Sequence, residues 1–325
     1  MELDIKKFSH ELIKWGIEHQ AQDLYILPKG EGMEVFFRYG KSKVIFKKLT
    51  LAQGEKLIFH FKFMGDMDVG ERRKTQMGAA TYEIQGVKRR LRLSTVGDFR
   101  NRESLVIRFL HHFGEQTENF FLPKQLQAIQ TKSNKRGLYL FSGPVGSGKT
   151  TVMYKIAKQK SQAQQIISIE DPVEIEDDSF LQLQTNDKID LTYETLIKVC
   201  LRHRPDILII GEIRDNQTAK AAIRAALTGH TVFATVHARN IIGVVQRLRD
   251  LGSNQQELDE CLEGIIYQRL LTGQSCSNHK EGILFDYSFE CTAQLASNWN
   301  HHLRKVWAYG FISDQVFFEE CDKTN

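Results

Sequence analysis

The stretch Gly143-Pro144-Val145-Gly146-Ser147-Gly148-Lys149-Thr150 limits what this chain can fold into more than any other part of it. It follows the apolar run Leu138-Tyr139-Leu140-Phe141 and opens into Thr151-Val152-Met153-Tyr154-Lys155-Ile156-Ala157. Strand, glycine loop and helix in that order are the context in which GxxxxGK[ST] forms a phosphate-binding P-loop. Glycines let the backbone curl so that successive N–H groups aim at one phosphate, and the helix N-terminus adds positive potential. Gly143 to Thr151 are therefore predicted to hold ATP or GTP. Lys149 reaches the β- and γ-phosphates in this reading, and the Thr150 hydroxyl sits on Mg²⁺. A glycine turn that binds nothing would not need Gly, Gly, Lys and Thr all in register after a strand.

The 325 residues suggest about two domains. With 41% hydrophobic and 26% charged residues, the chain buries real cores and is neither disordered nor fibrous. Lysine and arginine total 44 against 40 acids, a balance that permits contact with nucleic acid or anionic lipid without arguing for either. Cys200, Cys261, Cys276, Cys291 and Cys321 are scattered and form no CxxC pair, so no disulfide framework or zinc site is expected. Reduced thiols and a cytoplasmic location are the plain reading. The N-terminus has no signal-peptide core, and no apolar run approaches the ~18 residues of a membrane span. Any membrane association is expected to be peripheral, through a partner.

Apolar residues at helical spacing predict an amphipathic helix over 3–20. Strand character follows at 23–27, 33–39 and 43–46, then a helix near 51–64. Paired strands near 79–85 and 88–95, turning at Gln85-Gly86, and a strand at 104–110 complete an α+β domain over 1–110. Residues 111–125 read as a linker. From 126 to 272, strands at 138–142, 165–170, 206–211 and 231–237 alternate with helices at 149–162, 192–203, 216–227, 240–250 and 255–271. That alternation is the signature of a parallel sheet with crossovers. Residues 273–325, with Trp299, Trp307 and Phe317, are expected to form a small subdomain of their own.

Three further strand ends carry polar residues: Ser168-Ile169-Glu170-Asp171-Pro172-Val173-Glu174, Gly211-Glu212-Ile213-Arg214-Asp215, and Thr228-Gly229-His230 with Thr235-Val236-His237-Ala238. Ligands of open α/β sheets sit at the carboxyl ends of the strands, beside the P-loop. Individually each has a bland alternative: Glu170 as a cap, Glu212 as a surface partner of Arg214 or Arg204, His230 and His237 as packed histidines. Their joint order after a P-loop changes the weighing.

In that order the four segments resemble the Walker A, Asp box, Walker B and His box of the type II secretion and type IV pilus assembly ATPases. Upstream, Ala21-Gln22-Asp23-Leu24-Tyr25-Ile26-Leu27-Pro28, Leu91-Arg92-Leu93-Ser94-Thr95 and Glu103-Ser104-Leu105-Val106-Ile107-Arg108 are similar to further family segments. The resemblance implies an α/β fold, a RecA-like P-loop NTPase domain with a parallel-rich sheet, preceded by a smaller PAS-like α+β domain. It implies a hexameric ATPase in which Glu212 helps hold Mg²⁺, Glu170 polarises the attacking water, and His230 and His237 contact or sense the γ-phosphate. It also implies that Arg92 and Arg108 point onto the nucleotide, one across a subunit boundary, and that Arg202 matches a family arginine. The basic stretch around Lys88-Arg89-Arg90-Leu91-Arg92 otherwise reads as a solvated face or a nucleic-acid footprint.

The larger family members carry an extra N-terminal domain and a four-cysteine zinc module, and this chain is expected to have neither. In its short length and its Leu93-Ser94-Thr95-Val96-Gly97-Asp98-Phe99-Arg100 first-domain ending the chain resembles the ComGA-type competence branch, which implies assembly of a pilus or pseudopilus for DNA uptake on a polytopic inner-membrane platform protein. Direct DNA binding is not expected. Pilus retraction within the same family, a nucleotide-regulated scaffold with little turnover, and a DNA-translocating motor remain as alternatives.

Overall fold

A computed structural model describes residues 4–39, 42–84, 86–112, 119–274, 281–289 and 295–322. The chain divides into two compact units, Met1–His112 and Phe113–Asn325.

Among the described residues, the first unit is a six-stranded antiparallel sheet carrying two helices on one face. Its spatial order is Ser42–Thr50, Gly32–Tyr39, Asp23–Lys29, Glu103–Phe109, Val87–Gly97 and Gln76–Ile84. Leu24 and Ile26, Val35 and Phe37, Leu91 and Leu93, and Leu105, Ile107 and Phe109 recur every second residue and line one core. Onto them pack Phe8, Leu12 and Ile13 of the helix Ile5–Glu18 and Leu57, Ile58 and Phe61 of the helix Leu51–Met64. Both helices start on side-chain caps: the Asp4 carboxylate accepts from Lys7 N–H, and Thr50 and Gln53 form a reciprocal box. The expected α+β elements are all present with ends shifted by a few residues. Leu3 and Gln85 of those expectations lie outside the described residues.

Glu34 sits on the sheet with its carboxylate almost wholly buried, paired with Lys29 at 2.8 Å and with Lys43. Hydrogen bonds from these two lysines hold its pKa at about 2, below the ordinary 4.5. A folded-state value below the unfolded one stabilises above the unfolded pKa and is lost as pH falls. Glu34→Gln is therefore expected to lower the denaturant midpoint at neutral pH, with the difference from wild type shrinking between pH 4.5 and about 2. A difference that stays constant across that window rules out the linkage.

The second unit, among the described residues, is a seven-stranded sheet. Its order is Leu181–Gln184, Ile166–Glu170, Ile207–Ile210, Thr231–Val236, Gly137–Ser142, Leu262–Thr272 and Glu281–Ser288, and only the last pair is antiparallel. The runs Leu138–Phe141 and Ile207–Ile210 are apolar throughout, and Ile166–Ile169 is broken only by the buried Ser168, because both faces are covered. One face, with Tyr139, Phe141, Ile166, Ile209 and Phe233, packs against the helices Pro123–Lys132 and Lys149–Lys158. The other, with Leu138, Leu140, Ile167, Ile169 and Val232, packs against Tyr193–Arg202, Asn216–Leu227, Ile241–Asp250, Gln255–Cys261 and Trp299–Ala308.

Three expectations need correction. The helix expected over 255–271 stops at Cys261, and Leu262–Thr272 is a strand. Its middle, Gly264–Gln268, is buried between neighbouring strands, and a short buried run of that kind has no periodicity to separate helix from strand. A Cβ on Gly264 would stand 2.8 Å from the Tyr139 ring, so close strand packing needs the glycine. Among the described residues of 273–325, Glu281–Ser288 extends the same sheet, and Trp299, Leu303, Val306 and Ile312 join its core rather than forming one of their own. Trp307 is partly exposed and stacks on Phe317 at 4.7 Å. The expected linker, finally, is bound at its far end, since Ile283 N–H donates to Asn119 O at 2.7 Å and Phe121 N–H to Ile283 O at 3.2 Å. Its residues 113–118 lie outside the described set, as do Cys276 and Cys291.

Candidate functional site

At the carboxyl end of Gly137–Ser142 the backbone turns through Gly143, Gly146 and Gly148, with φ of 147°, 78° and 81°. These values favour glycine, and Gly148 caps the helix Lys149–Lys158 from the left-handed region. The first helical bond is Val152 N–H to Gly148 O at 3.0 Å. Pro144, Val145 and Gly146 are exposed and Ser147 is buried, while Lys149, Thr150 and Thr151 are partly exposed in the first turn. The Lys149 ammonium donates to Gly143 O and Pro144 O, both at 3.0 Å, which holds it over the loop. Burial pulls its pKa below the ordinary lysine value, while the charges of Glu212 and Glu174 push the other way. An ammonium partly stripped of water beside a helix N-terminus is a strong receptor for a polyphosphate.

Glu212 follows the strand Ile207–Ile210 and is partly exposed. Its carboxylate meets Arg214 at 2.8 Å and His237 Nε2 at 3.1 Å. Arg214 also lies 3.8 Å from Asp171, and these acids raise its pKa, Glu212 most. The Thr235 hydroxyl donates to Gly211 O at 2.5 Å and Ile213 N–H donates to Thr235 O at 2.9 Å, tying the Glu212 turn to the neighbouring strand. The Thr150 hydroxyl and the Glu212 carboxylate are oxygen donors of the kind that could hold Mg²⁺, which takes much of its shell from water and phosphate. Among the described residues no three His, Cys, Asp or Glu side chains gather into a metal cluster.

Glu170 does not face this opening. Residues 166, 168 and 170 share the sheet face that packs on the P-loop helix, so the Glu170 carboxylate lies buried beside Tyr154 of that helix. It accepts from the Tyr154 hydroxyl and, at 2.7 Å, from Ser168 Oγ. Gln182 closes the set by donating to the Tyr154 oxygen at 2.8 Å. Burial raises the pKa of Glu170, and the charge of Glu174 adds to the rise against these hydrogen bonds. Burial also pushes the Tyr154 phenol well above its ordinary value. The water-polarising role expected for Glu170 thus meets a carboxylate already enclosed. The acid of this segment that is exposed, and whose charge acts on Lys149, is Glu174. Sequence reading gave Glu174 no role in the chemistry; strand parity buries Glu170 with Ile166 and Ser168, whereas Glu174 lies past the end of the strand, where that parity no longer applies.

His237 and His230 part company for a similar reason. The residues between them are the strand Thr231–Val236, so the two histidines sit at opposite edges of the sheet. His230 O accepts from Gly137 N–H, at the start of the P-loop strand, about five steps of about 3.3 Å from the loop itself. Its Nδ1 lies 3.2 Å from both Ala225 O and Thr228 Oγ1, at the end of a helix. In this chain it stands at the other end of its strand from His237, away from the P-loop turn. Arg202 ends the helix Tyr193–Arg202, exposed, just before Ile207–Ile210 begins, so it too belongs to the amino edge.

Arg92 and Arg108 lie in the first unit as direct cross-strand partners. Like charges facing across a ladder repel. Asp23, opposite Arg108 on its other side, accepts from Arg108 Nε at 2.9 Å and offsets the repulsion. Arg92 extends towards Met77, 4.0 Å from its sulfur.

The second unit thus brings together the P-loop, Glu212, Arg214, His237 and Glu174, and among solved structures the whole chain has close likenesses. The Legionella pneumophila ATPase DotB matches with a TM-score of 0.76 at 19% identity, covering 97% of this chain and 95% of that one. The pilus retraction motor PilT with bound ADP matches with a TM-score of 0.69 at 25% identity, covering 95% and 96%. By sequence, the competence protein ComGA of Streptococcus pneumoniae is 44% identical over 309 residues, 95% of this chain and 96% of that protein. ComGA of Bacillus subtilis is 36% identical over 272 residues, 82% and 76% of the two chains. The family described as type II/IV secretion system protein matches residues 2–309. On a match of that extent, with the P-loop at its centre, the chain belongs to the type II/IV secretion system protein family.

Proposed function

We propose that this chain is the ATP-hydrolysing motor subunit that drives assembly of a competence pilus or pseudopilus for DNA uptake. The observation that carries the reading is the P-loop lysine held over its loop by Gly143 O and Pro144 O, in a chain that aligns with a competence protein over nearly the full length of both. Lys149 and the loop N–H groups bind the β- and γ-phosphates, and Thr150 and Glu212 hold the metal. Mg²⁺ neutralises charge on the phosphate oxygens when bound. Glu174 accepts the proton of the attacking water and aligns it, a task that needs an accessible carboxylate. His237 meets the second Glu212 oxygen and keeps the acid oriented.

In this proposal six copies form a ring at the cytoplasmic face of the membrane and act on a polytopic platform protein. No helix among the described residues is long and apolar enough to cross a membrane. Arg92 and Arg108 supply positive charge to the γ-phosphate, one of them from a neighbouring subunit. Phosphate release and nucleotide binding test this together: Arg92→Ala and Arg108→Ala are expected to lose most turnover while retaining ATP binding, with light scattering reporting a hexamer. Full turnover in both variants removes the arginines from the mechanism. The level of identity to competence proteins favours assembly over retraction.

A further inference from the structure

The strand Leu262–Thr272 passes beside the P-loop and touches it through one side chain. Gln268 is fully buried, and its Nε2 donates to the Ser147 main-chain carbonyl at 2.6 Å. Its own main-chain carbonyl lies 2.2 Å from the place a Cβ on Gly143 would take, and its Nε2 lies 3.6 Å from one on Gly148. One residue, far away in sequence, therefore meets the loop at its first glycine, at Ser147 and at its last glycine. Gln268 Oε1 and Ser147 Oγ are both buried with no hydrogen-bond partner, a costly arrangement for a residue that only fills space.

The bond to Ser147 has a consequence set by peptide geometry. The Ser147–Gly148 peptide is planar and trans, so a carbonyl turned towards Gln268 sends the Gly148 N–H the opposite way. P-loops bind phosphate through N–H groups presented on one side. Gly148 has φ of 81°, in a region where a glycine peptide flips readily, so the loop residues alone do not hold this orientation. We propose that Gln268 is a positioning residue for the nucleotide: its amide pins the Ser147 carbonyl and so keeps the Gly148 N–H directed at phosphate.

The proposal rests on nucleotide binding by the P-loop, and the test separates the two. MgADP is titrated calorimetrically into the full-length chain and into Gln268→Met, which keeps the length and removes the donor. Loss of one buried hydrogen bond is expected to raise Kd about tenfold. A purely structural role lowers the fraction of competent sites, read as stoichiometry, and leaves Kd unchanged. Gln268→Leu serves the same purpose should the methionine variant fail to fold. Wild-type Kd in either folded variant overturns the positioning role alone. No heat from the wild type overturns the nucleotide reading, and the positioning role with it.

Discussion

Lys149→Ala is expected to lower kcat/KM for ATP roughly 10³-fold or more, with the fold intact. Its ammonium is partly desolvated and held over the loop by two carbonyls. Removing one preorganised donor from a site of developing charge costs about 10²–10³ in rate, and here a full positive charge goes with it. The side chain bonds loop carbonyls rather than core residues, so thermal unfolding of the variant should stay close to wild type. Phosphate release measures the first expectation and calorimetric unfolding the second. Cells carrying the variant should lose transformation in step with hydrolysis. Normal transformation without hydrolysis favours a nucleotide-regulated scaffold over a motor.

Glu174→Gln is expected to cut kcat by about 10²–10⁴ while leaving nucleotide affinity within a few-fold of wild type, the signature of a lost general base. Glu170→Gln should do much less to kcat. Its carboxylate is already engaged by Tyr154 and Ser168, and an amide retains an oxygen that accepts from both. The contrast between the two variants carries the argument. A Glu170 variant that is the slower of the pair returns the water-activating role to the buried acid and requires the Tyr154 bond to break during turnover.

How much of this was legible before any fold was built depended on sequence distance. The P-loop lies within eight consecutive residues, Gly143 to Thr150, and its chemistry follows from the order of residue types in one turn. The sheet could be anticipated wherever a strand was short and wholly apolar, as at Ile207–Ile210. Where a helix ran straight into a strand without a break, as at Cys261 and Leu262, the boundary between them left no local signal. His230 and His237 read as a pair because they lie close in sequence, yet the strand between them carries them to opposite edges.

Contiguous chemistry, then, was settled by the order of amino acids: a glycine turn, a lysine and a threonine at a helix start can do little else. Which acid of the 170–174 segment is enclosed, which histidine meets Glu212, and that Gln268 reaches back to the loop were decided by folding alone. These depend on which face of a strand a side chain takes and which strand becomes its neighbour. Both are consequences of burying the two sheet faces together, and no local stretch of sequence contains them.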